Sequence, residues 1–306
     1  MPLSPNLTAA LFMCLSMAGF TANDVIAKYL SASMNMGQVM LLRGLFATLF
    51  IAVLAWHRGA LRTPRLVFQP LVMLRVAGEA LATITFLMAL AQLPVANVAA
   101  VLQALPLAVT MGAALFFGEG VGWRRWLAIL AGFAGVAIIV RPGFEGFSAY
   151  SLLAFLTVCF AAMRDLVTKR ISHDVPTLLI STATAGTVTL CGLFLVGPMG
   201  GWVAPTAPDI AWLAVAAALL LVGYQFIIMA MRIGEISFVA PFRYTGLLWA
   251  IVLGFIVFGE LPDLPMLLGA AIIVASGLFT LYRERVVGRS MASAESVGPG
   301  MAPDGL

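Results

Sequence analysis

The sequence of 306 residues is 62% hydrophobic and only 10% charged, with a formal net charge of +4. This composition excludes a soluble globular protein, because too few polar side chains are present to cover the surface of a soluble fold. The basic residues are spread over short separate segments, which excludes a nucleic-acid-binding protein.

Apolar stretches long enough to cross a hydrocarbon core of about 30 Å follow one another along almost the whole chain. The first contains Asp24 and has no preceding Lys or Arg, so we expect a retained helix and not a cleaved signal peptide. The tail at 286–306 is rich in Gly, Ser, Ala and Pro and is predicted to be disordered and cytoplasmic. The ten predicted transmembrane helices cover roughly residues 7–29, 37–56, 70–91, 95–117, 123–140, 149–168, 176–197, 210–231, 236–258 and 264–282.

The distribution of basic residues predicts the orientation of these helices. If the helices alternate in direction, one side of the membrane carries Arg141 alone. The positive-inside rule places the other, basic side in the cytoplasm, so both termini are predicted to be cytoplasmic. The basic side carries Arg58, Arg62, Arg65, Arg124, Arg125, Lys169, Arg170, Arg232, Arg283, Arg285 and Arg289.

Two short patterns occur twice at the same spacing. Asp24 and Lys28 recur as Asp165 and Lys169, an offset of 141 (165 − 24), and Gly118-Glu119 recurs at the same offset as Gly259-Glu260. The stretch 86–100 also aligns with 226–240 at a shift of 140. The chain is therefore predicted to be a duplication, with one repeat at 7–141 and the other at 149–283.

Each repeat holds five helices, and because five is odd the second repeat enters the membrane upside down. Inverted repeats of this kind are typical of secondary transporters that work by alternating access. The repeated pairs would then lie toward opposite ends of the transport path. This position suits gating residues, so Asp24, Lys28, Asp165 and Lys169 are predicted to act in gating. A structural role is the alternative, because charges four residues apart on one helix face can lower the cost of lying near lipid.

The helix-ending strings FFGE (Phe116–Glu119) and VFGE (Val257–Glu260), with the run GLLWAIVLGFIVFGELPD, resemble the EamA type of the drug/metabolite transporter superfamily. The resemblance extends from about Leu7 to Tyr282. It implies an all-α integral membrane fold of ten helices in two inverted five-helix repeats around a central cavity. It also implies secondary transport of a small metabolite across the bacterial inner membrane.

Two stretches are similar to particular groups within this superfamily. The segment Met17–Gly44 is similar to members associated with riboflavin uptake, and the run Pro241–Ala250 to members that take up S-adenosylmethionine. Riboflavin uptake is the substrate prediction, and S-adenosylmethionine uptake and export of amino acids or drug-like metabolites are the alternatives.

Arg243 is the leading candidate for a substrate contact. It lies in the predicted ninth helix beside Tyr244, with Trp249 further along and no acidic residue on that helix before Glu260. A guanidinium with aromatic neighbours suits a planar, electron-rich or anionic solute. An ion pair with Glu79 is the alternative role for Arg243. Further polar candidates for the cavity are Gln103, Tyr224 and Gln225.

Few other charged residues lie inside the predicted helices, where each costs roughly 2.5 to 3.5 kcal/mol near the centre. Arg75 and Glu79 lie four residues apart on one face of the third helix, which indicates a structural ion pair. Glu79 is also the deepest carboxylate and therefore a candidate for proton coupling. Arg43, in the second helix, is grouped with these intramembrane charges.

Motifs of enzymes and cofactor sites are missing from the sequence. Cys14, Cys159 and Cys191 lie singly in different apolar stretches, so we predict neither a metal nor a cofactor. No phosphate-binding glycine-rich loop with Lys is present, so uphill transport would draw on a gradient. The competing classes are a channel and an intramembrane enzyme. The expected partners are a small-molecule substrate and the lipid bilayer, and the chain is expected to act as a monomer or a homodimer.

Overall fold

The computed structural model describes residues 4–142, 148–172 and 174–287, and within these ranges the protein is helical with no β-strand. Ten helices in this part of the chain are long and apolar enough to cross a membrane. They are α1 Pro5–Leu30, α2 Met36–His57, α3 Pro70–Gln92, α4 Val95–Phe117, α5 Trp123–Val140, α6 Ala149–Thr168, α7 Thr177–Val196, α8 Ala207–Ile233, α9 Ala240–Phe258 and α10 Leu264–Val287.

The ten predicted helices are confirmed, with differences of a few residues at some ends. Helix α8 begins at Ala207, before the predicted position 210, because Thr206 and Asp209 form a capping box that satisfies the first free amides. Helix α10 continues to Val287, so the first two residues of the expected tail at 286–306 are helical. Residues 288–306 lie outside the described part of the chain.

The two repeats end their fourth helices in the same way. Helix α4 stops at Gly118, with φ of 66°, and α9 stops at Gly259, with φ of 68°. A residue in this left-handed conformation closes a helix C-terminus, and glycine adopts it without a steric penalty. The repeated Gly-Glu pattern is thus a repeated helix stop.

The same two helices are also interrupted along their length. Helix α4 breaks after Leu102 and resumes at Leu105, just before Pro106. Helix α9 follows a short helical turn at Ile236–Val239 and begins with a 3₁₀ segment that contains Pro241. Proline cannot donate a backbone hydrogen bond inside a helix, which explains why regular α-helix fails at both places.

The most extensive helix contacts all join one repeat to the other. Helix α1 packs on α8, and α3 packs on α6, which is the same pair after exchange of the repeats. Helices α2 and α7 pack together, as do α5 and α10, and each of these pairs maps onto itself. The fold is therefore two five-helix repeats of opposite orientation.

Contacts within these self-related pairs are close. The hydroxyl oxygens of Thr48 on α2 and Thr189 on α7 lie 3.0 Å apart, and the two residues differ by 141 positions. Between α5 and α10, a Cβ added to Gly135 would lie 2.8 Å from the carbonyl oxygen of Gly269. Small residues allow such backbone approach between membrane helices, where lipid supplies no hydrophobic force between them.

The two ends of the bundle are named by the repeated lysines. The Lys28 end is where α1 and α9 stop, and the Lys169 end is where α4 and α6 stop. Large apolar side chains are exposed around the outside of the bundle, as expected for a lipid-facing surface. Examples are Leu49, Phe116, Phe194 and Ile256.

Candidate functional site

A cavity lies between α1, α3, α4 and α9, where the two repeats meet. Its volume is about 90 Å³. Three aromatic side chains line it, from Phe20, Phe86 and Tyr244. The polar side chains in its wall belong to Thr21, Asp24, Gln103 and Arg243.

The broken segments of α4 and α9 bring Gln103 and Arg243 to this cavity. Gln103 lies between the two parts of α4, and Arg243 lies in the 3₁₀ segment of α9. The two positions differ by 140, the shift that aligns this part of the repeats. Broken helices at equivalent places in inverted repeats are a common way to form a substrate site in a transporter. Of the predicted substrate contacts, Arg243, Tyr244 and Gln103 all line the cavity.

The other three predicted contacts lie elsewhere. Trp249 donates its indole N–H to the carbonyl of Cys14 at 3.2 Å. Tyr224 packs edge-on against Phe20, with ring centroids 5.3 Å apart, and Gln225 is exposed. None of the three is among the residues that line the cavity.

Asp24 is held in the cavity wall by a short polar chain from α2. The Asn23 side-chain amide donates to the Asp24 carboxylate at 3.0 Å, and Arg43 donates to the Asn23 oxygen at 3.2 Å. Asp24 and Arg43 also attract each other electrostatically. Arg43 thus supports the carboxylate through Asn23, while Asp24 itself reaches the cavity.

A second cluster of buried charges surrounds Arg164 on α6. Its guanidinium donates to Glu79 on α3 at 2.5 Å and to the neighbouring Asp165 at 2.6 Å. The Arg164 side chain is 0% exposed and that of Glu79 is 4% exposed. Asp165 also interacts electrostatically with Arg243. This cluster ties α3 to α6 and extends to the cavity wall.

The sequence did not identify Arg164 as the partner of Glu79. The structure gives Glu79 a salt bridge to Arg164, and the Arg75–Glu79 and Arg243–Glu79 pairs indicated by the sequence stay predictions. Arg75 donates to the Thr184 hydroxyl at 2.5 Å. Spacing along one helix could suggest only the intrahelical pair, and the α3–α6 packing that brings Arg164 to Glu79 has no local signature.

Lys28 forms a cross-repeat contact at its end of the bundle. Its ammonium forms a salt bridge with Glu260 and donates to the Leu93 carbonyl at 2.5 Å. The other Glu260 oxygen accepts from the Val95 amide at 2.8 Å. The ammonium also lies 5.0 Å from the centre of the Phe258 ring. By contrast, Lys169 is exposed at the opposite end.

The EamA-like transporter family model matches the chain twice, at residues 7–141 and 148–282. The chain belongs to the EamA-like transporter family. It is thus a multi-pass membrane transporter.

Relatives of this EamA-like transporter carry different substrate names. The riboflavin transporter of Vibrio cholerae is 31% identical over 282 residues, covering 89% of this chain and 92% of the relative. The S-adenosylmethionine uptake transporter of Rickettsia conorii is 27% identical over 286 residues, covering 92% and 95%. The pseudopaline exporter of Pseudomonas aeruginosa is 23% identical over 275 residues, covering 88% and 94%.

Proposed function

We propose that this EamA-like transporter takes up a small metabolite with a planar ring, riboflavin being the first candidate, by alternating access. The observation that carries the proposal is the cavity between the repeats, which is lined by the aromatic side chains of Phe20, Phe86 and Tyr244 together with Gln103 and Arg243. Aromatic walls suit a flat heterocycle. The name of the 31% identical Vibrio cholerae relative supports the same substrate.

In this proposal Arg243 and Gln103 orient the ring. The forked N–H groups of a guanidinium suit neighbouring carbonyl or ring-nitrogen acceptors, and an amide side chain both donates and accepts. A flavin ring presents such acceptors beside an imide N–H. The enclosed cavity of about 90 Å³ is smaller than the roughly 300 Å³ of a typical small-molecule site. Substrate binding therefore requires the cavity walls to move apart.

We place the transporter in the inner membrane with the Lys169 end toward the cytoplasm. Arg124, Lys169, Arg170 and Arg232 all lie at helix boundaries on that end, which the positive-inside rule assigns to the cytoplasm. Uptake then starts at the Lys28 end. Both repeats lie in one polypeptide, so a monomer contains the complete cavity.

S-adenosylmethionine is the second candidate, and Asp24 favours it. The cavity wall holds a carboxylate, Asp24, as well as the guanidinium of Arg243. A solute with a sulfonium or ammonium group and a carboxylate would find an opposite charge for each. Riboflavin is neutral and would supply no counter-charge for the Asp24 carboxylate, so Asp24 would then have a different role. In that case we assign proton coupling to Asp24, because Glu79 is held by Arg164 outside the cavity wall.

Transport by purified protein in proteoliposomes tests the proposal. Labelled riboflavin and labelled S-adenosylmethionine are supplied separately, each with the other as unlabelled competitor. Saturable uptake with counterflow identifies a carrier and its substrate, whereas unsaturable flux identifies a channel and chemical conversion an enzyme. Failure of both solutes to bind or to cross would overturn the planar-ring proposal.

One variant decides between the candidates. Asp24→Asn should abolish uptake of S-adenosylmethionine, because the cationic group loses its counter-charge. For riboflavin the same variant should retain binding in a thermal-shift assay and lose only pH-gradient-driven accumulation. Growth of a riboflavin auxotroph on low riboflavin gives an independent readout in cells.

A further inference from the structure

The repeat-equivalent ends of the bundle differ in one set of contacts. At the Lys28 end, Lys28 on α1 and Glu260 after α9 form a salt bridge. The equivalent residues at the other end, at an offset of 141, are Lys169 and Glu119. Both are exposed, and neither side chain makes a hydrogen bond or an ion pair with any residue in the described ranges.

The turns between the helices follow the same asymmetry. At the Lys28 end, the α3–α4 turn is held on both sides, since the Leu93 carbonyl accepts from Lys28 and the Val95 amide donates to Glu260. The equivalent of Val95 at a shift of 140 is Glu235, in the α8–α9 turn. Its amide donates to Asn6 on α1 at 3.0 Å and not to Glu119. The α3–α4 turn is thus bound to Lys28 and Glu260, whereas the α8–α9 turn is bound to Asn6.

A difference of this kind between symmetric halves is informative in an inverted repeat. Exchanging the conformations of the two repeats turns a protein closed at one end into one closed at the other. The contacts seen now at the Lys28 end must then form between the equivalent residues at the Lys169 end. The sequence keeps the required lysine and glutamate at both ends, although only one pair is in contact.

We propose that Lys28–Glu260 and Lys169–Glu119 are two mutually exclusive latches, each of which closes one end of the transport path. In the conformation described here the first latch is closed. Opening it frees the α3–α4 turn and, with it, the part of α4 that leads to Gln103. Closing the second latch would require the α8–α9 turn to leave Asn6 and bring its Glu235 amide to Glu119. The proposal rests on alternating access in the proposed function, but not on the identity of the substrate.

Accessibility of the cavity tests the closed latch. A single cysteine replaces Val98, a buried cavity residue on the first part of α4, in a background without Cys14, Cys159 and Cys191. Labelling by a membrane-impermeant maleimide is measured from the side of the Lys28 end. Glu260→Gln should speed labelling about fivefold or more, because the closed state loses a charge-assisted contact. The matched variant Glu119→Gln should not speed it. Equal rates in both variants would overturn the proposal.

Cross-linking tests whether the two latches exclude each other. In the same background, cysteines at positions 119 and 169 are joined with a short bismaleimide. Cross-linking should be slow with Glu260 intact and about fivefold or more faster with Glu260→Gln. A cross-linking rate that does not depend on Glu260 would refute the coupling between the two latches. Labelling of Val98→Cys shows separately whether the Glu260→Gln variant is misfolded. Neither assay needs a transported solute, so a wrong substrate assignment would leave both results interpretable.

Discussion

Two aspartates at equivalent positions of the repeats have different surroundings. Asp24 follows Asn23, a neutral residue, and lines the cavity. Asp165 follows Arg164 and is bound by that guanidinium at 2.6 Å. Both repeats carry a carboxylate at the same position, but the residue before it differs. Asn23 brings no charge to the Asp24 carboxylate, whereas Arg164 binds Asp165. The first carboxylate can meet a solute, whereas the second belongs to a salt-bridged cluster that joins α3 to α6.

Removal of Arg164 is expected to have the largest effect and tests whether the cluster around Asp165 is structural. Arg164→Met would leave the carboxylates of Glu79 and Asp165 buried without their guanidinium, a loss of about 3–5 kcal/mol in similar buried pairs. We expect a strongly reduced unfolding temperature or loss of folded protein, measured by thermal unfolding and size-exclusion chromatography in detergent. The matched variant Asn23→Met, at the equivalent position, should be far milder. Similar stability of both variants would contradict a structural role for the second cluster.

Arg243 should matter for transport and much less for folding. Arg243→Ala is expected to abolish uptake in proteoliposomes, because the cavity loses its positive charge and its forked donors. The protein should still insert and elute as a single species. Arg243→Lys serves as the control that keeps the charge and loses the fork, and an intermediate rate is expected. Wild-type uptake by Arg243→Ala would remove this residue from the site.

Asp24 and Asp165 can be compared directly with one substitution each. Asp24→Asn should lower uptake of S-adenosylmethionine, or pH-gradient-driven uptake of riboflavin, about tenfold or more with little change in unfolding temperature, because the side chain lines the cavity. Asp165→Asn should do the reverse, since it weakens the contact with Arg164. The two measurements are initial uptake rate and thermal unfolding of the same preparations. If both variants lost the same property, the different roles of the two aspartates would be wrong.

The smallest expected effect lies outside the cavity, at the start of α10. Burial acts to raise the pKa of Asp263, but hydrogen bonds from the Met266 amide and Arg141 outweigh it and lower the pKa below its usual value. A lowered pKa in the folded state adds stability above the unfolded pKa of about 3.9, and this stability is lost as the pH falls. Asp263→Asn keeps a capping oxygen and removes the ion pair with Arg141.

This exposed pair should contribute less than about 1 kcal/mol. We therefore expect Asp263→Asn to lower the unfolding temperature slightly at pH 7 and by less near pH 3. Thermal unfolding across this pH range provides the measurement. A larger decrease in unfolding temperature at low pH than at neutral pH would contradict a lowered pKa of Asp263 in the folded state.

The fold could be predicted from the sequence because its determinants are local or repeated. Each apolar stretch indicates one helix by its length, and the recurring residues at offsets of 140 and 141 indicate two copies. Even the interruptions of α4 and α9 follow from Pro106 and Pro241, since proline removes a backbone donor wherever it stands.

Residues of the site could be predicted only where the residue type is unusual for its position in the sequence. A charge such as Arg243 inside an apolar helix is costly, so it marks a functional position by itself. The salt bridge between Glu79 and Arg164 could not be predicted, because Arg164 reaches Glu79 only through packing between helices from different repeats. Tyr224 and Gln225 do not line the cavity, and the sequence does not show how α8 rotates when it packs against α1.

The hydrogen bond between Thr48 and Thr189 joins a residue to its own counterpart. Exchanging the conformations of the repeats maps this contact onto itself, so it does not have to break when the protein changes from one access state to the other. The crossing of α2 with α7 can therefore serve as a fulcrum while the latches at the ends alternate.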